Sequence, residues 1–412
     1  PLILKDGSGK TVGGLMRRKR IVISIGKECT GCGLCSVACP KDAILMRENE
    51  EGFLYPVIEK DRCNECGRCI SVCKDVKDQW HHKNGKPTVK ACQTKDEKWL
   101  IESTAGGFFP TLAQWVLEQN GVVFGTAYNS CMIPVVRKAE SEAEILGFNG
   151  SKYVQSDLTP ALPEIKKELE MGRQVLFSGT PCQVAAVKTF CKEFVGKTLL
   201  TMDVVCYGVP SPGLFRAFLD TIERRMSAKV IDYRFRDKHK NGWSHTTIIR
   251  MVDEKGKILQ FEEEDYSKIP YYRMFGSRNC FRRECYNCYY NTTERIADFT
   301  TGNFWGIETM TNEFDTRNGV SMVLLNTDFA GNIFEKISDR FHIVDMTLDQ
   351  AVRANDALVH TCKYPKERDA IYTCYARQGF DTMFQKYYVD TPVQKIKRKS
   401  KALLKKIIKH KK

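Results

Sequence analysis

Between residues 100 and 205 two kinds of apolar stretch take turns along the chain. STAGGFFPTLAQWVLEQNGVVFGTAY reads as a glycine turn, a helix over 110–118 with apolar residues at helical spacing, and a short apolar strand over 122–124. The pattern then predicts a helix over 162–171, a strand and turn in RQVLFSGTPCQ, a helix over 184–194, and a strand and turn in TLLTMDVVCYG. Strands separated by helices of roughly ten to fifteen residues imply a parallel sheet joined by crossovers. No apolar run reaches the roughly eighteen residues a membrane span needs. The opening PLILKDGSGKTVGGLMRRKR has basic residues but no apolar stretch long enough for a secretory signal, so a cytoplasmic location is expected.

Before residue 80 the organising residues are cysteines. CTGCGLCSVACPKDAI supplies Cys29, Cys32, Cys35 and Cys39, and CNECGRCISVCK supplies Cys63, Cys66, Cys69 and Cys73. Both have the C-x2-C-x2-C-x3-C spacing of bacterial two-cluster ferredoxins, in which the fourth cysteine of each run ligates the other cluster. That logic groups Cys29, Cys32 and Cys35 with Cys73, and Cys63, Cys66 and Cys69 with Cys39. Gly31, Gly33 and Gly67 are expected to let the backbone turn its N–H groups toward inorganic sulfur. Zinc knuckles are the competing reading, but zinc sites prefer two separated cysteine pairs. Lys74 stands where a proline often follows the fourth cysteine, a departure that removes no ligand.

The chain of 412 residues has 18 cysteines. In the cytosol their local clustering argues for metal clusters rather than disulfides. The expected division is a leader over 1–20, a ferredoxin-like module with two 4Fe-4S clusters over 21–80, a linker holding His81, His82, Gly85 and Pro87, an α/β core over 88–390, and a basic tail over 391–412. The fold class is α/β, or mixed α+β, with the ferredoxin module leading. The net charge is +14, but the tail from Gln394 onward carries ten Lys and Arg and no acid. The body is then only mildly basic, and no nucleic-acid partner is expected. In the tail Ile396, Leu403, Leu404, Ile407 and Ile408 fall roughly on one side of a helix ringed by lysines. Such a segment can lie on the inner face of an anionic membrane or dock on an acidic partner; a frayed, solvated terminus is the alternative.

Thirteen residues, RNCFRRECYNCYY, hold Cys280, Cys285 and Cys288. If the strands over 175–177 and 199–205 pair, their ends lie about 4.8 Å apart at the carboxyl edge of the sheet, where open α/β folds place their sites. Cys182 and Cys206 then converge from neighbouring turns and meet the C-x-x-C pair Cys285 and Cys288. A rival assignment uses Cys280, whose C-x4-C-x2-C spacing with Cys285 and Cys288 is that of plant-type ferredoxins. Cys92, Cys131, Cys191, Cys362 and Cys374 stand alone and are expected to be packing residues.

In their order, STAGGFFPTLAQWVLE, GSKYVQSD, FSGTPCQVAA, DVVCYGVPSP, FRDKHKNGW, RRECYNCYY and DFTTGNFWGI make the segment over roughly 90–330 resemble the family of coenzyme F-420 hydrogenase/dehydrogenase β subunits. These are flavin and iron-sulfur proteins related to plant hydroxymethyl-chlorophyll reductase. The resemblance implies FAD, a third 4Fe-4S cluster on Cys182, Cys206, Cys285 and Cys288, and electron exchange between a hydride carrier and an iron-sulfur partner protein. Three departures are STAGG in place of S-S-S-G-G, Asn303 where G-D-F-W would have aspartate, and the extra Cys280.

The dinucleotide fingerprint G-x-G-x-x-G is absent, so a flavin site must be built another way. Ser103, Thr104, Gly106 and Gly107 precede one helix and Thr180 another, where free N–H groups stabilise phosphate. Lys152, Tyr153, Gln155 and Ser156 lie on a polar loop that can reach phosphate or the isoalloxazine. Arg236, Lys238 and Lys240 are candidates for an anionic substrate tail against the alternative of a basic surface loop, and Trp243, Phe304 and Trp305 read as core aromatics. Hydride donors give two electrons at once and cubane clusters take one, which calls for an intermediary such as flavin; no acid-base catalyst is assigned. The expected activity is an FAD and iron-sulfur oxidoreductase passing electrons between a two-electron carrier, deazaflavin or similar, and one-electron partners through three clusters. The rivals are a flavin-free, non-catalytic electron-transfer protein and a zinc-stabilised interaction module.

Overall fold

The computed structural model describes residues 29–78 and 85–389, without the side chains of residues 74, 75, 77 and 78. The expected leader, His81 and His82, the Lys74 side chain and the basic tail lie outside the described residues. Among the described residues no helix is long and apolar enough to cross a membrane.

The ferredoxin module is a hairpin of β1 (Ile44–Glu48) and β2 (Leu54–Ile58), flanked by the helices Leu34–Val37 and Arg68–Asp78. The core is built on eight strands, β3 (Thr88–Thr94), β4 (Val122–Tyr128), β5 (Pro134–Ala139), β6 (Val175–Gly179), β7 (Leu199–Val204), β11 (Phe299–Asn303), β12 (Ser321–Leu325) and β13 (Phe341–Met346). Their spatial order is β13-β3-β12-β11-β7-β6-β4-β5. The centre, β4, β6, β7 and β11, is parallel, and β6 pairs with β7 from Val175 opposite Leu199 to Gly179 opposite Asp203. The flanks are antiparallel, so the sheet is mixed.

Of the parallel strands β4, β6 and β7 are mainly apolar because both faces are covered. Val123, Leu176, Leu200 and Met202 pack against the helix Phe108–Glu118. Val122, Phe124, Val175, Phe177 and Leu199, one step out of phase, meet the helices Ala161–Glu170 and Pro181–Phe190. Leu34 and Val76 of the ferredoxin module belong to this second cluster. A second sheet, absent from the sequence reading, is the antiparallel meander β8 (Ala228–Arg234), β9 (Thr247–Asp253) and β10 (Ile258–Glu263). It closes over an aromatic core of Phe215, Phe218, Tyr233, Phe235 and Tyr271.

The module is fastened to the core by close backbone approach and by buried charge. A Cβ on Gly52 would sit 2.8 Å from the Gly213 Cα. Arg368 is fully buried and grips the Glu51 carboxylate with two bonds of 2.9 and 2.6 Å while its Nε donates to the Phe281 carbonyl. Removing one member of a buried pair strands the other's charge. Glu51→Ala is therefore expected to cost about 3–5 kcal/mol in chemical denaturation, with Glu51→Gln costing less because it keeps hydrogen-bonding atoms in place.

Candidate functional site

Three groups of thiols run through the molecule. In the first, Cys29, Cys32 and Cys35 come from the loop ahead of and within the helix Leu34–Val37, and Cys73 from the helix Arg68–Asp78. Burial, followed by the nearby Cys29 and Cys73, pushes the Cys32 thiol up to about 12, and Cys35 rises for the same reasons with Cys32 also pressing on it. In the second group burial raises Cys69, with Cys63 and Cys66 adding to it. Backbone N–H groups already face sulfur, Gly31 toward Cys29, Ala43 toward Cys39 and Glu65 toward Cys63, at 3.3–3.4 Å. Cys66 is exposed.

The third group forms at the carboxyl edge of the parallel strands. After β6, Thr180 begins a helix whose Gln183 Oε1 accepts from the Thr180 N–H and hydroxyl, and Pro181 presets the first turn. This holds Cys182 on the edge, its Sγ 3.2 Å from the Thr180 hydroxyl. Cys206 follows β7. Cys285 lies in the 3-10 turn Arg283–Asn287, with Cys288 directly after it. Burial and then Cys182 and Cys288 push Cys206 up to about 12, and burial followed by Cys182 takes Cys288 to about 11. Cys285 rises through burial and the same three neighbours.

The approach requires Gly208, which the sequence reading passed over. It has φ 126°, and a Cβ there would meet the Phe281 ring at 2.5 Å and the Cys285 Cβ at 3.1 Å. Cys280 faces elsewhere: it is fully buried among aromatics, Tyr372 donates to its carbonyl, and Arg368 is the charge that acts on it. Cys92, Cys191, Cys362 and Cys374 are buried as expected of packing residues, whereas Cys131 is exposed.

Among the described residues no three His, Cys, Asp or Glu side chains gather as ligands of a single metal ion. The thiol groups suit a polynuclear cluster, in which each sulfur takes a separate iron. The buried thiols repel one another as anions, a conflict that bound iron relieves, and the N–H donors already point at sulfur. The residues therefore fit such clusters.

The groups adjoin. Cys182 acts on Cys32, and Cys69 acts on Cys35. Tyr290 lies between the third group and the first, within the influence of Cys182, Cys32, Cys288 and Cys73, with its hydroxyl donating to the Val76 carbonyl. Two cations stand beside the third group. Arg282 acts on Cys182, and Arg295, paired with the buried Asp203 at 3.0 Å, acts on Cys206 and Cys288.

Cys206 and Gly208 also form part of the wall of a cavity of about 670 Å³, within the usual size range for cofactor sites. Ser103, Thr104, Gly107, Lys152, Tyr153 and Thr180 line it. The buried Ser103 Oγ has no hydrogen-bond partner. Gly106 lies behind this wall, where a Cβ would strike the Cys92 carbonyl at 2.2 Å, so its role is strand packing. Gln155 is likewise structural, donating to the Thr30 carbonyl of the ferredoxin loop. Ser156 does line the cavity, as does Asn303, whose Oδ1 accepts from the Trp243 indole. Phe304 is core, but Trp305 belongs to the cavity, stacked between Trp243 at 4.8 Å and His245 at 5.8 Å. Lys240 is exposed and paired with Glu262.

Residues 172–349 match the model for the C terminus of the coenzyme F420 hydrogenase/dehydrogenase β subunit, and residues 28–75 match the 4Fe-4S dicluster domain. The chain is 19% identical over 332 residues to the F subunit of the F(420)H(2) dehydrogenase of Methanosarcina mazei, covering 77% of this chain and 84% of that protein. Over 51 residues, 12% of this chain, it is 35% identical to the VorC subunit of the ketoisovalerate oxidoreductase of Methanothermobacter marburgensis, of which it spans 65%. A chain of the xenon-derivatised F420-reducing nickel-iron hydrogenase complex of Methanosarcina barkeri superposes with a TM-score of 0.42 at 17% identity, covering 74% of this chain and 92% of that one.

Two lysines beside the cavity titrate unusually. Burial lowers Lys152 from 10.5 to about 8 while its Nζ donates to the Phe148, Asn149 and Gly150 carbonyls, and burial followed by Arg236 lowers Lys238 to about 7. Unfolding therefore takes up a proton at each site between its folded value and 10.5, so both contribute a rise in stability as pH increases through that window. The raised thiols work in the opposite sense above about pH 9, so the lysine contribution is read as a difference: in thermal melts the wild type is expected to gain stability relative to Lys152→Met as pH rises from about 8 to 10.5.

Proposed function

From a chain that carries the C-terminal domain of the coenzyme F420 hydrogenase/dehydrogenase β subunit behind a 4Fe-4S dicluster domain, we propose a member of that family that is a flavin-dependent oxidoreductase with three 4Fe-4S clusters. It is an iron-sulfur electron-transfer protein related to components of those complexes. The finer reading is that it exchanges electrons between a two-electron hydride carrier and a one-electron partner protein.

The observation that carries this reading is the continuity of the file. It runs from the cavity wall at Cys206, through Cys182, Cys285 and Cys288, to Cys29, Cys32, Cys35 and Cys73, and then to Cys63, Cys66 and Cys69, ending at the exposed Cys66. Cys39 completes the last group by the interleaved logic of its spacing. FAD in the cavity would supply the conversion between paired and single electrons, and the clusters would supply single-electron transfer. The chain's own residues do the rest. Gly107 and Thr180 present helix N-termini to phosphate, Ser103 offers an unpaired hydroxyl, Tyr153 and Trp305 form aromatic wall, and Arg282 and Arg295 offset negative charge at the third cluster.

Anaerobic reconstitution is expected to give roughly twelve irons per chain, as three cubanes require, together with a flavin released on denaturation. Cys285→Ser should lose about four irons and Cys280→Ser none. Offering deazaflavin, NADH, NADPH and reduced ferredoxin in turn, and following the flavin absorbance, identifies the carrier. A folded protein that binds neither iron nor flavin would end this reading.

A further inference from the structure

Behind the loop over 148–152 lies a second cavity of about 590 Å³, and Phe148, Asn149, Gly150, Ser151 and Lys152 line both. Its far side is the end of β8 and the turn after it, which carries Arg236. Arg236 is 5% exposed and its guanidinium carbon lies 5.0 Å from the Trp305 ring centre. Its Nε donates to the Ser244 carbonyl, but both terminal nitrogens are buried without a partner. Of the other bases on the lining, Arg234 is engaged by Glu102, Asp232 and Asp237, Lys138 by Glu140 and Glu168, Lys152 by backbone carbonyls, and Lys238 by the Ala105 and Asn318 carbonyls, while Arg137 is exposed. Asn149 with both side-chain polar atoms, and the hydroxyls of Tyr128 and Tyr233, also line this cavity with no partner.

A buried cation with two idle donors is costly unless an anion meets it. A guanidinium presents those donors as a planar fork that matches the two oxygens of a phosphate or carboxylate. We infer that the second cavity is an oxyanion site, in which the Arg236 fork grips a phosphate or carboxylate group and Asn149, Tyr128 and Tyr233 supply the remaining hydrogen bonds. Two sources share this chemistry. One is the pyrophosphate of the flavin itself, reaching around the 148–152 loop, and the other is the acidic tail of the hydride carrier. The flavin reading matters only for choosing between them.

The test is calorimetric titration of inorganic pyrophosphate into the full chain with its clusters in place, with and without FAD. Saturable binding is expected, weakened by about tenfold or more in Arg236→Met and Asn149→Leu and by less in Arg236→Lys, which keeps the charge without the fork. If FAD blocks pyrophosphate, and Arg236→Met weakens FAD but not riboflavin, the flavin's own phosphates fill the site. If FAD-loaded protein still binds pyrophosphate, and Arg236→Met raises KM for the carrier, the carrier's tail fills it. A chain that binds no flavin but binds pyrophosphate through Arg236 would refute the flavin reading and uphold the site. Should Arg236→Met fail to fold, Arg236→Lys and Asn149→Leu carry the comparison. The inference falls if the wild type binds no pyrophosphate and its FAD affinity is unaltered by these substitutions, or if pyrophosphate binding is the same in every folded variant.

Discussion

One buried guanidinium holds the arrangement together. Arg282 is 1% exposed and sits where the ferredoxin module meets the core. Its Nε donates to the Cys29 carbonyl at 2.6 Å, both terminal nitrogens donate to the Leu54 carbonyl, and Nη1 also reaches the Gln155 Oε1. Its guanidinium carbon lies 4.0 Å from the Tyr55 ring centre, and Glu284 supplies a carboxylate at 3.3 Å. Carbonyls satisfy the donors while Glu284 offsets the charge, so the cation is desolvated without being stranded. A rigid fork aimed at carbonyls of two separate module segments admits one docking geometry, and that geometry puts Cys32 beside Cys182.

Small residues make the geometry reachable. Gly31 has φ 73°, and a Cβ on it would lie 2.5 Å from the Gln155 amide nitrogen and 2.8 Å from Arg282. The sequence reading assigned this glycine to the approach of backbone to inorganic sulfur; in the fold it also admits the core's two docking side chains. The same loop therefore cannot be changed for one purpose without changing the other. Cluster geometry and module docking are coupled through backbone, which makes the path between the first and third thiol groups short by construction.

How much was legible follows the distance over which each feature is encoded. The ferredoxin cysteines were legible as two runs because each run spans only eleven residues at one spacing; their interleaved grouping rests on the ferredoxin pattern. Cys182 and Cys206 were readable because adjacent apolar strands place their ends together, which β6 and β7 do. Ser103, Gly107, Lys152, Tyr153 and Thr180, expected at a flavin, line one cavity because turns before helices and a polar loop share the strand edge. The close approach of Gly106 to the Cys92 carbonyl and the bond from Gln155 to the Thr30 carbonyl were not legible, because both involve remote segments. Arg282, Gly208 and the Gly52–Gly213 contact carry no local pattern at all. The second sheet escaped because β10, with the exposed Ile258 and Phe261, lacks a clean two-residue alternation.

Burial sets a direction along the file of thiols. The third group lies against the cavity with Arg282 and Arg295 beside it, the first has a buried Cys35, and the second ends at an exposed Cys66. Desolvation disfavours the added negative charge of a reduced cluster, whereas a nearby cation favours it. At the third group Arg282 and Arg295 lower thiols that burial raises. Because both cations stand there, depth and charge act in opposite senses on the same thiols. A cluster held at the inner end, as proposed, would have cations beside it to offset an added electron, while one at the outer end would rely on solvent. Arg295 is held by Asp203 at the end of β7, and Arg282 by the docking contacts, so the electrostatics of the file depend on the same contacts that define the fold.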